Sequence, residues 1–289
     1  MRKRYRQMNW FYIPALILML MFVAYPFAQT ISISLMRWNG YGKVQKFIGL
    51  ENYISMFSDD NFFLAFRNTL IYGFGCTILQ NIFGLALALL VNSRYKGNGI
   101  VRTIVYMPIM IAGVVMGYIM YFFLSYNRGI LNDIIGMFGI APIDWLASPF
   151  YAVLFVTLVN SWQYVGNSMV MYLAGLQNIP SSYYEAAAVD GASVVQRFFR
   201  LTLPLLIPSI QTSVITNLIG SLKLYGVIIA LTNGGPGHSS QSLTTYITNR
   251  YFSAEKAGYA AAIGIFTFLF IMLISTVLNH YFSKKEVEY

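Results

Sequence analysis

The fold of this 289-residue chain is decided by the stretch NIPSSYYEAAAVDGASVVQRFFRLTLPLLIP, Asn178 to Pro208. It separates two long apolar runs, 149–175 and 205–231, but is itself rich in alanine and interrupted at intervals by proline, glycine and charged residues. Alanine favours helix, whereas proline and glycine favour the places where a helix begins or ends. The stretch therefore predicts an ordered helical segment between two apolar helices.

Two short helices are predicted within this segment. Ser182 and Glu185 have the spacing of a capping box, in which a hydroxyl and a carboxylate satisfy free backbone N–H groups, so the first helix should begin there. It should end at Asp190-Gly191, because glycine can take the left-handed conformation that closes a helix. A second helix is predicted at 193–200. Most connections between helices are far shorter than this segment. Its length therefore favours a docking element over a simple loop that inserts Phe198 and Phe199 into lipid.

The rest of the chain predicts an all-α polytopic membrane protein. Hydrophobic residues make up 57% of the sequence and charged residues 10%, and the mean hydropathy is +0.59, which leaves too little polar surface for a soluble protein of this length. A helix needs about 20 apolar residues to cross the hydrocarbon core of a membrane. Six transmembrane helices are predicted, the first of them uncleaved, at 10–34, 69–92, 102–125, 149–175, 205–231 and 258–282.

The distribution of cations predicts that both termini lie in the cytoplasm (N-in/C-in). In that orientation the cytoplasmic segments 1–9, 93–103, 176–204 and 283–289 contain 11 lysines and arginines, against 7 in the longer segments of the opposite side. Cytoplasmic loops of membrane proteins carry such an excess. The formal net charge of +9 is explained by anchoring beside anionic lipid, so no nucleic-acid partner is expected.

The sequence gives no support to metal chemistry or catalysis. His238 and His280 have no second ligand at i+3 or i+4, and the single Cys76 has no partner for a disulfide within the chain. No G-x-x-x-x-G-K-[ST] motif is present, so an ATPase that drives transport would be another polypeptide. We therefore expect no cofactor in this chain and no enzymatic activity of its own.

The Asn178 to Pro208 stretch resembles the EAA loop of the permeases of binding-protein-dependent ABC importers, whose pattern is E-A-A, then D-G-A, then an apolar-L-P ending. Three further motifs are similar to the carbohydrate branch of that family, in particular its maltose-permease MalF-like half: FIGLENYISMF at 47–57, AGLQNIP at 174–180 and LTNGGPG at 231–237. The resemblance covers nearly the whole chain. It implies the type I ABC importer permease fold, as a single transmembrane permease domain over 1–289.

The resemblance also implies partners. Residues 178–204 would form the cytoplasmic EAA coupling loop, seated in a cleft of an ATPase subunit. Two copies of that ATPase would bind ATP and magnesium, and their closure would turn the permeases from inward-facing to outward-facing. A MalG-like second permease, forming a heterodimer with this chain, and an extracytoplasmic sugar-binding protein would complete the importer in the bacterial cytoplasmic membrane. The residues implied in coupling to the ATPase are Glu185, Ala186, Ala187, Asp190, Gly191 and Phe198.

Polar groups inside the predicted spans are candidates for a sugar path, since such groups are costly in lipid. In the fourth span, helical spacing places Asn160, Tyr164, Asn167 and Ser168 on one broad face. Amides, hydroxyls and aromatic rings are the groups that bind a neutral sugar. Hydrogen bonding between helices is the alternative role, above all for Asn160 and Ser168.

The resemblance adds residues from the third and fifth spans. The positions that align with sugar contacts of MalF-like proteins are Ile109, Gly113, Tyr164, Asn167, Lys223 and Leu224. Most of these side chains differ from those of the maltose permease, which implies a retained site with changed specificity. Lys223 has three possible roles at this depth: its ammonium can snorkel to the surface, pair with an acidic residue of the second permease, or meet an anionic substrate.

Two alternatives to a neutral sugar importer stay open at this point. The same architecture could carry an acidic sugar, a sugar phosphate or a polyol, because Lys223 offers a positive charge. A secondary transporter driven by an ion gradient is the alternative of a different class. Such transporters usually bind the coupling ion with carboxylates inside the membrane, and the six predicted spans contain no aspartate or glutamate.

Overall fold

The structure is a computed structural model that describes residue 10 and residues 12–92 and 97–285. Several cations that led to the predicted orientation, namely those before residue 10 together with Arg94 and Lys96, lie outside the described residues. The described residues fall into two compact units. The first contains the residues up to Phe62 together with Tyr246–Leu269, and the second contains Phe63–Thr245 together with the residues from Phe270 onwards.

The regular secondary structure of the described chain is helical apart from one small ribbon, in which β1 (Met36–Arg37) pairs antiparallel with β2 (Lys46–Phe47). The α-helical part of the prediction is thus confirmed. In chain order the helices are α1 (Tyr12–Ser34), α2 (Glu51–Met56), α3 (Asp60–Asn92), α4 (Asn98–Met110), α5 (Gly113–Leu124), α6 (Ile130–Gly136), α7 (Pro149–Asn178), α8 (Ser181–Val189), α9 (Val194–Leu205), α10 (Ile207–Leu222), α11 (Gly226–Leu231), α12 (Leu243–Thr248) and α13 (Ala257–Ser283).

Among the described residues, α1, α3 and α13 are long and apolar enough to cross a membrane. Two bent helix pairs, α4 with α5 and α9 with α10, bring the number to five if each pair counts as one span. Helix α7 covers the predicted fourth span. With 30 residues it is about 45 Å long, which is enough to span a bilayer, but it carries more polar side chains than the others.

Two predicted spans are wrong as continuous helices. The third is bent by 101° between α4 and α5, where Ile111 and Ala112 are extended after a 3₁₀ turn that contains Pro108. The fifth is interrupted between α10 and α11, at 223–225. Broken helices are tolerated inside a membrane protein when other groups satisfy the freed backbone carbonyls.

Side chains supply those partners at both breaks. At the first break, Gln163 Nε2 donates to the carbonyl oxygen of Ile111 at 2.7 Å. At the second, Ser242 Oγ donates to the carbonyl oxygen of Leu224 at 2.8 Å. The breaks are therefore satisfied parts of the fold, which local apolar periodicity does not reveal.

The first unit is held together by aromatic packing around the end of α2. Phe62 and Phe266 meet edge to face with ring centroids 5.3 Å apart, and Phe57 contacts both rings. In the same unit the backbone N–H of Gly258 donates to the carbonyl oxygen of Trp38 at 3.2 Å, which ties the start of α13 to the segment after β1.

In the second unit, helix α7 packs along α3 through small residues. A Cβ added at Gly84 would lie 2.4 Å from the Cβ of Ser168, and one added at Gly166 would lie 2.4 Å from the carbonyl oxygen of Val105 in α4. Small residues at such points let helix backbones approach closely, which favours association within a membrane. Helix α7 is thus surrounded by other helices, which explains how it accommodates buried polar groups such as Asn160 and Gln163.

Candidate functional site

A polar cavity of about 440 Å³ lies in the second unit, where the ends of the broken helices meet the middle of α7. Its size is typical of small-molecule sites. We call it the polar cavity; the residues that line it are Gln80, Ile109, Ala112, Gly113, Val114, Asn160, Tyr164, Asn167, Thr216, Asn217, Gly220, Ser221, Lys223, Leu224, Tyr225, Gly226 and Val227.

The two helix breaks position this cavity. A Cβ added at Gly226, the first residue of α11, would lie 3.0 Å from the backbone nitrogen of Val114 in the first turn of α5. A Cβ added at Gly117, one turn further along α5, would lie 2.6 Å from the Cβ of Ala230. Glycine at these points allows α5 and α11 to pack closely, so that their first turns open together toward α7.

Seven of the eight residues predicted for the sugar path line the polar cavity: Ile109, Gly113, Asn160, Tyr164, Asn167, Lys223 and Leu224. Asn160 also makes an interhelical hydrogen bond, since its Nδ2 donates to Ser221 Oγ at 3.3 Å. Ser168 does not line the cavity. It is fully buried and accepts a hydrogen bond from Asn217 Nδ2 at 2.6 Å, which is the interhelical role that the sequence left open.

Sequence reasoning missed several polar residues of the lining. One of them is Thr216, which precedes the predicted Lys223 by seven residues, about two turns of α10, and so lies on the same side of the helix. That spacing could have been found by working backwards from Lys223. Gln80 carried a weaker signal, as an amide within the apolar second span, and nothing in its neighbours indicated which side of α3 faces a cavity.

The lining has an uneven distribution of charge. Lys223 is the one lysine in the lining, which contains no arginine, aspartate or glutamate. Its side chain is exposed, and within the described part of the chain its ammonium has neither an ion pair nor a hydrogen bond. The cavity therefore offers amides, hydroxyls, two aromatic rings and one positive charge, groups that bind a ligand without doing covalent chemistry.

The segment between α7 and α10 has the bent form that was predicted, with one correction. Helix α8 begins after Pro180, and no side chain caps it. The predicted capping box at Ser182 and Glu185 is therefore wrong. Pro180 occupies the N-cap position, which leaves Ser182 inside the first turn of the helix. The capping box lies instead at the start of α9, where the backbone N–H of Gln196 donates to Ser193 Oγ at 3.3 Å and Gln196 Oε1 accepts the backbone N–H of Ser193 at 2.8 Å.

The corner between the two short helices is at Gly191, as predicted. Its φ is +74°, in the left-handed region, and the backbone N–H groups of Gly191 and Ala192 donate to the carbonyls of Ala188 and Ala187 at 3.1 and 2.9 Å. Beyond the corner, α9 contains a π-helical segment at Phe198–Thr202, whereas a regular α-helix was predicted up to residue 200. Glu185, Ala186, Asp190 and Gly191 are exposed, whereas Ala187 and Phe198 are half-buried.

Part of this segment packs against neighbouring helices, and part of it is exposed. Tyr184 and Leu201 pack against a buried apolar cluster that includes Met169 and Leu206, and the hydroxyls of Tyr184 and Thr202 are 3.1 Å apart. Other apolar side chains of the segment are strongly exposed: Val189 is 88% exposed, and Val194, Val195 and Phe199 are exposed as well. We call residues 178–204 the bent loop. It combines a fixed base with an apolar outer face.

A second cavity, of about 700 Å³, lies in the first unit and is lined by residues of both charges. Asp59 is one of the residues that line it. Its Oδ2 accepts a hydrogen bond from Tyr259 at 2.7 Å and another from the phenol of Tyr246, and Arg250 Nη2 lies 3.8 Å away. Burial raises the pKa of Tyr246 to about 12, and the neighbouring Asp59 acts in the same direction, so Tyr246 stays a protonated donor at neutral pH. Asp59 and Arg250 are thus paired with each other, unlike Lys223.

Comparisons with known proteins show the family to which the chain belongs. The trehalose/maltose transport system permease protein MalF of Thermococcus litoralis is 33% identical over 265 residues, which cover 92% of this chain and 90% of that protein. The sulfoquinovosyl glycerol transport system permease protein SmoG of Agrobacterium fabrum is 35% identical over 275 residues, 94% of this chain and 89% of that protein.

A solved structure is similar over almost the same length. One chain of the crystal structure of the bacterial alginate ABC transporter, in complex with alginate pentasaccharide-bound periplasmic protein, superimposes with a TM-score of 0.84 and 26% identity, covering 96% of this chain and 94% of that chain. The family model described as the inner membrane component of binding-protein-dependent transport systems matches residues 80–287. The chain therefore belongs to the family of inner membrane components of binding-protein-dependent transport systems.

Proposed function

We propose that this chain is the permease subunit of an ABC importer that carries a sugar or oligosaccharide inward across the cytoplasmic membrane, using ATP hydrolysed by a separate subunit. The named substrates of the relatives support a carbohydrate: trehalose/maltose, sulfoquinovosyl glycerol and the acidic polysaccharide alginate. The chain is a transport subunit that crosses the membrane several times.

The substrate path in this proposal is the polar cavity. The observation that carries it is the meeting of three interrupted or polar helices at one point: α5 and α11 both begin there, and α7 adds Asn160, Tyr164 and Asn167. Tyr164 supplies a flat apolar surface for a sugar ring, while the amides supply donors and acceptors for its hydroxyls. The cavity in the first unit is larger, but two of its carboxylates, Glu51 and Asp59, already pair with arginines.

The bent loop is the coupling element in this proposal. Its outer face, formed by exposed Val189, Val194 and Phe199, would lie in a cleft of an ATPase, which binds the ATP and magnesium. The attachment of Tyr184 to Thr202 and to the apolar cluster at the base would transmit a rigid-body movement from the loop to α10. Glu185, Ala186, Ala187, Asp190, Gly191 and Phe198 remain the proposed contact and hinge residues.

The partners in this proposal are a MalG-like second permease, two ATPase subunits and an extracytoplasmic sugar-binding protein. The binding protein has direct support among the relatives, because the alginate transporter was solved with its sugar-loaded periplasmic protein. The second permease and the ATPases rest on membership of the family.

Uptake by the reconstituted importer tests this proposal. The substrate is first identified by a thermal-shift screen of the binding protein against carbohydrates, and ATP-dependent uptake into proteoliposomes is then measured. Tyr164→Ala should lower the rate of uptake between about twofold and tenfold, the range that the loss of one aromatic contact gives. The affinity of the binding protein for the sugar should not change.

Tyr126→Ala is the matched control, because Tyr126 is 51% exposed and lies outside the polar cavity. It should leave uptake near the wild-type rate. Uptake that proceeds without ATP would indicate a secondary transporter. Equal rates for Tyr164→Ala and wild type, at equal amounts of assembled complex, would remove the polar cavity from the substrate path.

A further inference from the structure

Lys223 lies at the end of α10, at the point where the polar cavity meets the break before α11. A lysine in this position has an ordinary explanation, since cations are favourable beside the carbonyl groups that end a helix. That explanation requires the ammonium to approach those carbonyls. Within the described residues the side chain of Lys223 makes no such hydrogen bond and remains exposed, so its charge is available to a ligand in the cavity.

A second positive element faces the same cavity. Helix α5 has 12 residues, and its N-cap, Ala112, provides no side chain to cap the first turn. The first N–H groups of an α-helix have no partner within the helix and carry partial positive charge, which makes them suited to bind an anion. Ala112, Gly113 and Val114 all line the polar cavity, as Lys223 does.

A third observation is an unpartnered acceptor on a residue that lines the same cavity. Gln80 is 1% exposed, lines the polar cavity, and uses its Nε2 to donate to the carbonyl oxygen of Asn160 at 3.2 Å. Its Oε1 is buried and has no hydrogen-bond partner. Unsatisfied buried acceptors are rare in folded proteins and call for an explanation. A hydroxyl donor on a ligand would satisfy this one.

We propose that the polar cavity selects an anionic carbohydrate, with its oxyanion between Lys223 and the first turn of α5 and its hydroxyls toward Gln80. The proposal rests on the proposed function, because it specifies the substrate class of the same cavity. A carboxylate, a sulfonate or a phosphate has the required chemistry, since each is an oxyanion that accepts hydrogen bonds from an ammonium and from backbone N–H groups. No carboxylate in the lining opposes such a ligand.

Direct binding to the complete permease–ATPase complex tests this inference. The complex is placed in lipid nanodiscs without the binding protein, so that only the transporter selects. Saturation-transfer difference NMR is recorded with digalacturonate, with the neutral galactobiose of the same size, and with glucose 6-phosphate. Digalacturonate or glucose 6-phosphate should bind at least roughly tenfold more tightly than galactobiose, as expected for a hydrogen bond to a charged group.

Two variants assign the preference to Lys223. Lys223→Met should abolish the preference for the anion, and Lys223→Arg should retain it, because arginine keeps the charge. Lys46→Met is the matched control: it also removes one exposed positive charge, but from β2 in the first unit, and should change nothing.

The outcomes separate this inference from the proposed function. Equal binding of neutral and anionic sugars, unchanged in Lys223→Met, would overturn the anionic class while leaving a carbohydrate permease. Binding of none of the sugars would overturn both. If Lys223→Met instead lowers the recovery of assembled complex without changing the preference, Lys223 pairs with the second permease and the inference is wrong. Lys223→Gln, which keeps a polar head, is the variant to use if the methionine variant does not assemble.

Discussion

At the scale of single residues, Asp59 shows how one half-buried charge can connect several parts of a unit. Its Oδ1 accepts the backbone N–H of Asn61 at 3.0 Å, in the first turn of α3, and its Oδ2 accepts from the phenols of Tyr246 and Tyr259. Burial alone would raise the pKa of this carboxyl. The hydrogen bonds from Tyr246, Tyr259 and Asn61, together with the Arg250 guanidinium, outweigh burial and hold the pKa below its ordinary value of 3.8.

The lowered pKa gives a prediction about stability and pH. A carboxyl whose pKa is lower in the folded state contributes stability above its unfolded pKa and loses it as the pH falls through the folded pKa. Asp59→Asn keeps the shape and the helix cap but removes the charge. It should lower the Tm of the purified complex by several degrees at pH 7, because hydrogen bonds to a charged group contribute about 1.5–3 kcal/mol. The difference in Tm should shrink at pH 3.5.

Thermal melts of both proteins at pH 7, 5 and 3.5 provide the measurement. Asp60→Asn is the control, since Asp60 is the exposed neighbour at the first position of α3. It should have a smaller effect, which reflects only the helix dipole. A Tm difference for Asp59→Asn that is the same at pH 3.5 and pH 7 would show that the charge of Asp59 does not stabilise the first unit.

At the scale of elements, the bent loop depends on its glycine corner. Gly191 has a φ of +74°, and a Cβ added there would meet no atom within 4 Å, so the cost of substitution comes from the backbone conformation. Gly191→Val should introduce about 1–3 kcal/mol of strain and turn α8 relative to α9. In the reconstituted importer, uptake and substrate-stimulated ATP hydrolysis should fall together, while the binding protein keeps its affinity for sugar.

Gly139→Val is a matched control for the glycine corner. Gly139 has a φ of +76° and also has no atom within 4 Å of an added Cβ, but it lies outside the bent loop. Glu185→Ala complements the pair, since Glu185 does not cap its helix and its loss should leave α8 intact. An effect of Glu185→Ala on coupling would therefore report a contact with the ATPase. Wild-type coupling in both Gly191→Val and Glu185→Ala would mean that the segment is only a connection.

At the scale of the whole molecule, the orientation in the membrane is a prediction that labelling can test. The distribution of cations places residues 176–204 in the cytoplasm and residues 35–68 on the outer side. Val189 and Val44 are matched reporters, 88% and 83% exposed. With a membrane-impermeant maleimide, Val44→Cys should be labelled in spheroplasts and Val189→Cys only in inverted vesicles. The native Cys76 is fully buried, so the unsubstituted protein should give only background.

The opposite labelling pattern would show that the orientation is reversed. The bent loop would then not lie on the side where ATP is hydrolysed. The predicted orientation requires the chain to cross the membrane an odd number of times between residues 44 and 189. Labelling of both positions in spheroplasts would contradict that requirement.

The sequence by itself determined those features of the fold that depend on neighbours along the chain. Apolar composition is enough to make the protein a membrane protein, because lipid rejects unsatisfied polar backbone whatever the helices pack against. The corner at Gly191 was predictable because only glycine takes that conformation at low cost. Ser182-x-x-Glu185 and Ser193-x-x-Gln196 are similar local patterns, however, and only the second caps a helix. The first does not, because its helix begins directly after Pro180.

The tertiary structure alone decided which polar groups share a cavity. Ser168 and Asn167 are adjacent in the sequence, yet Asn167 lines the polar cavity while Ser168 is bonded to Asn217 across the helix interface. The breaks in the third and fifth spans were also invisible along the chain, because Gln163 and Ser242, which satisfy the freed carbonyls of Ile111 and Leu224, are distant in sequence. A helix can be interrupted inside a membrane only where such partners meet, and that meeting is a property of the packed fold.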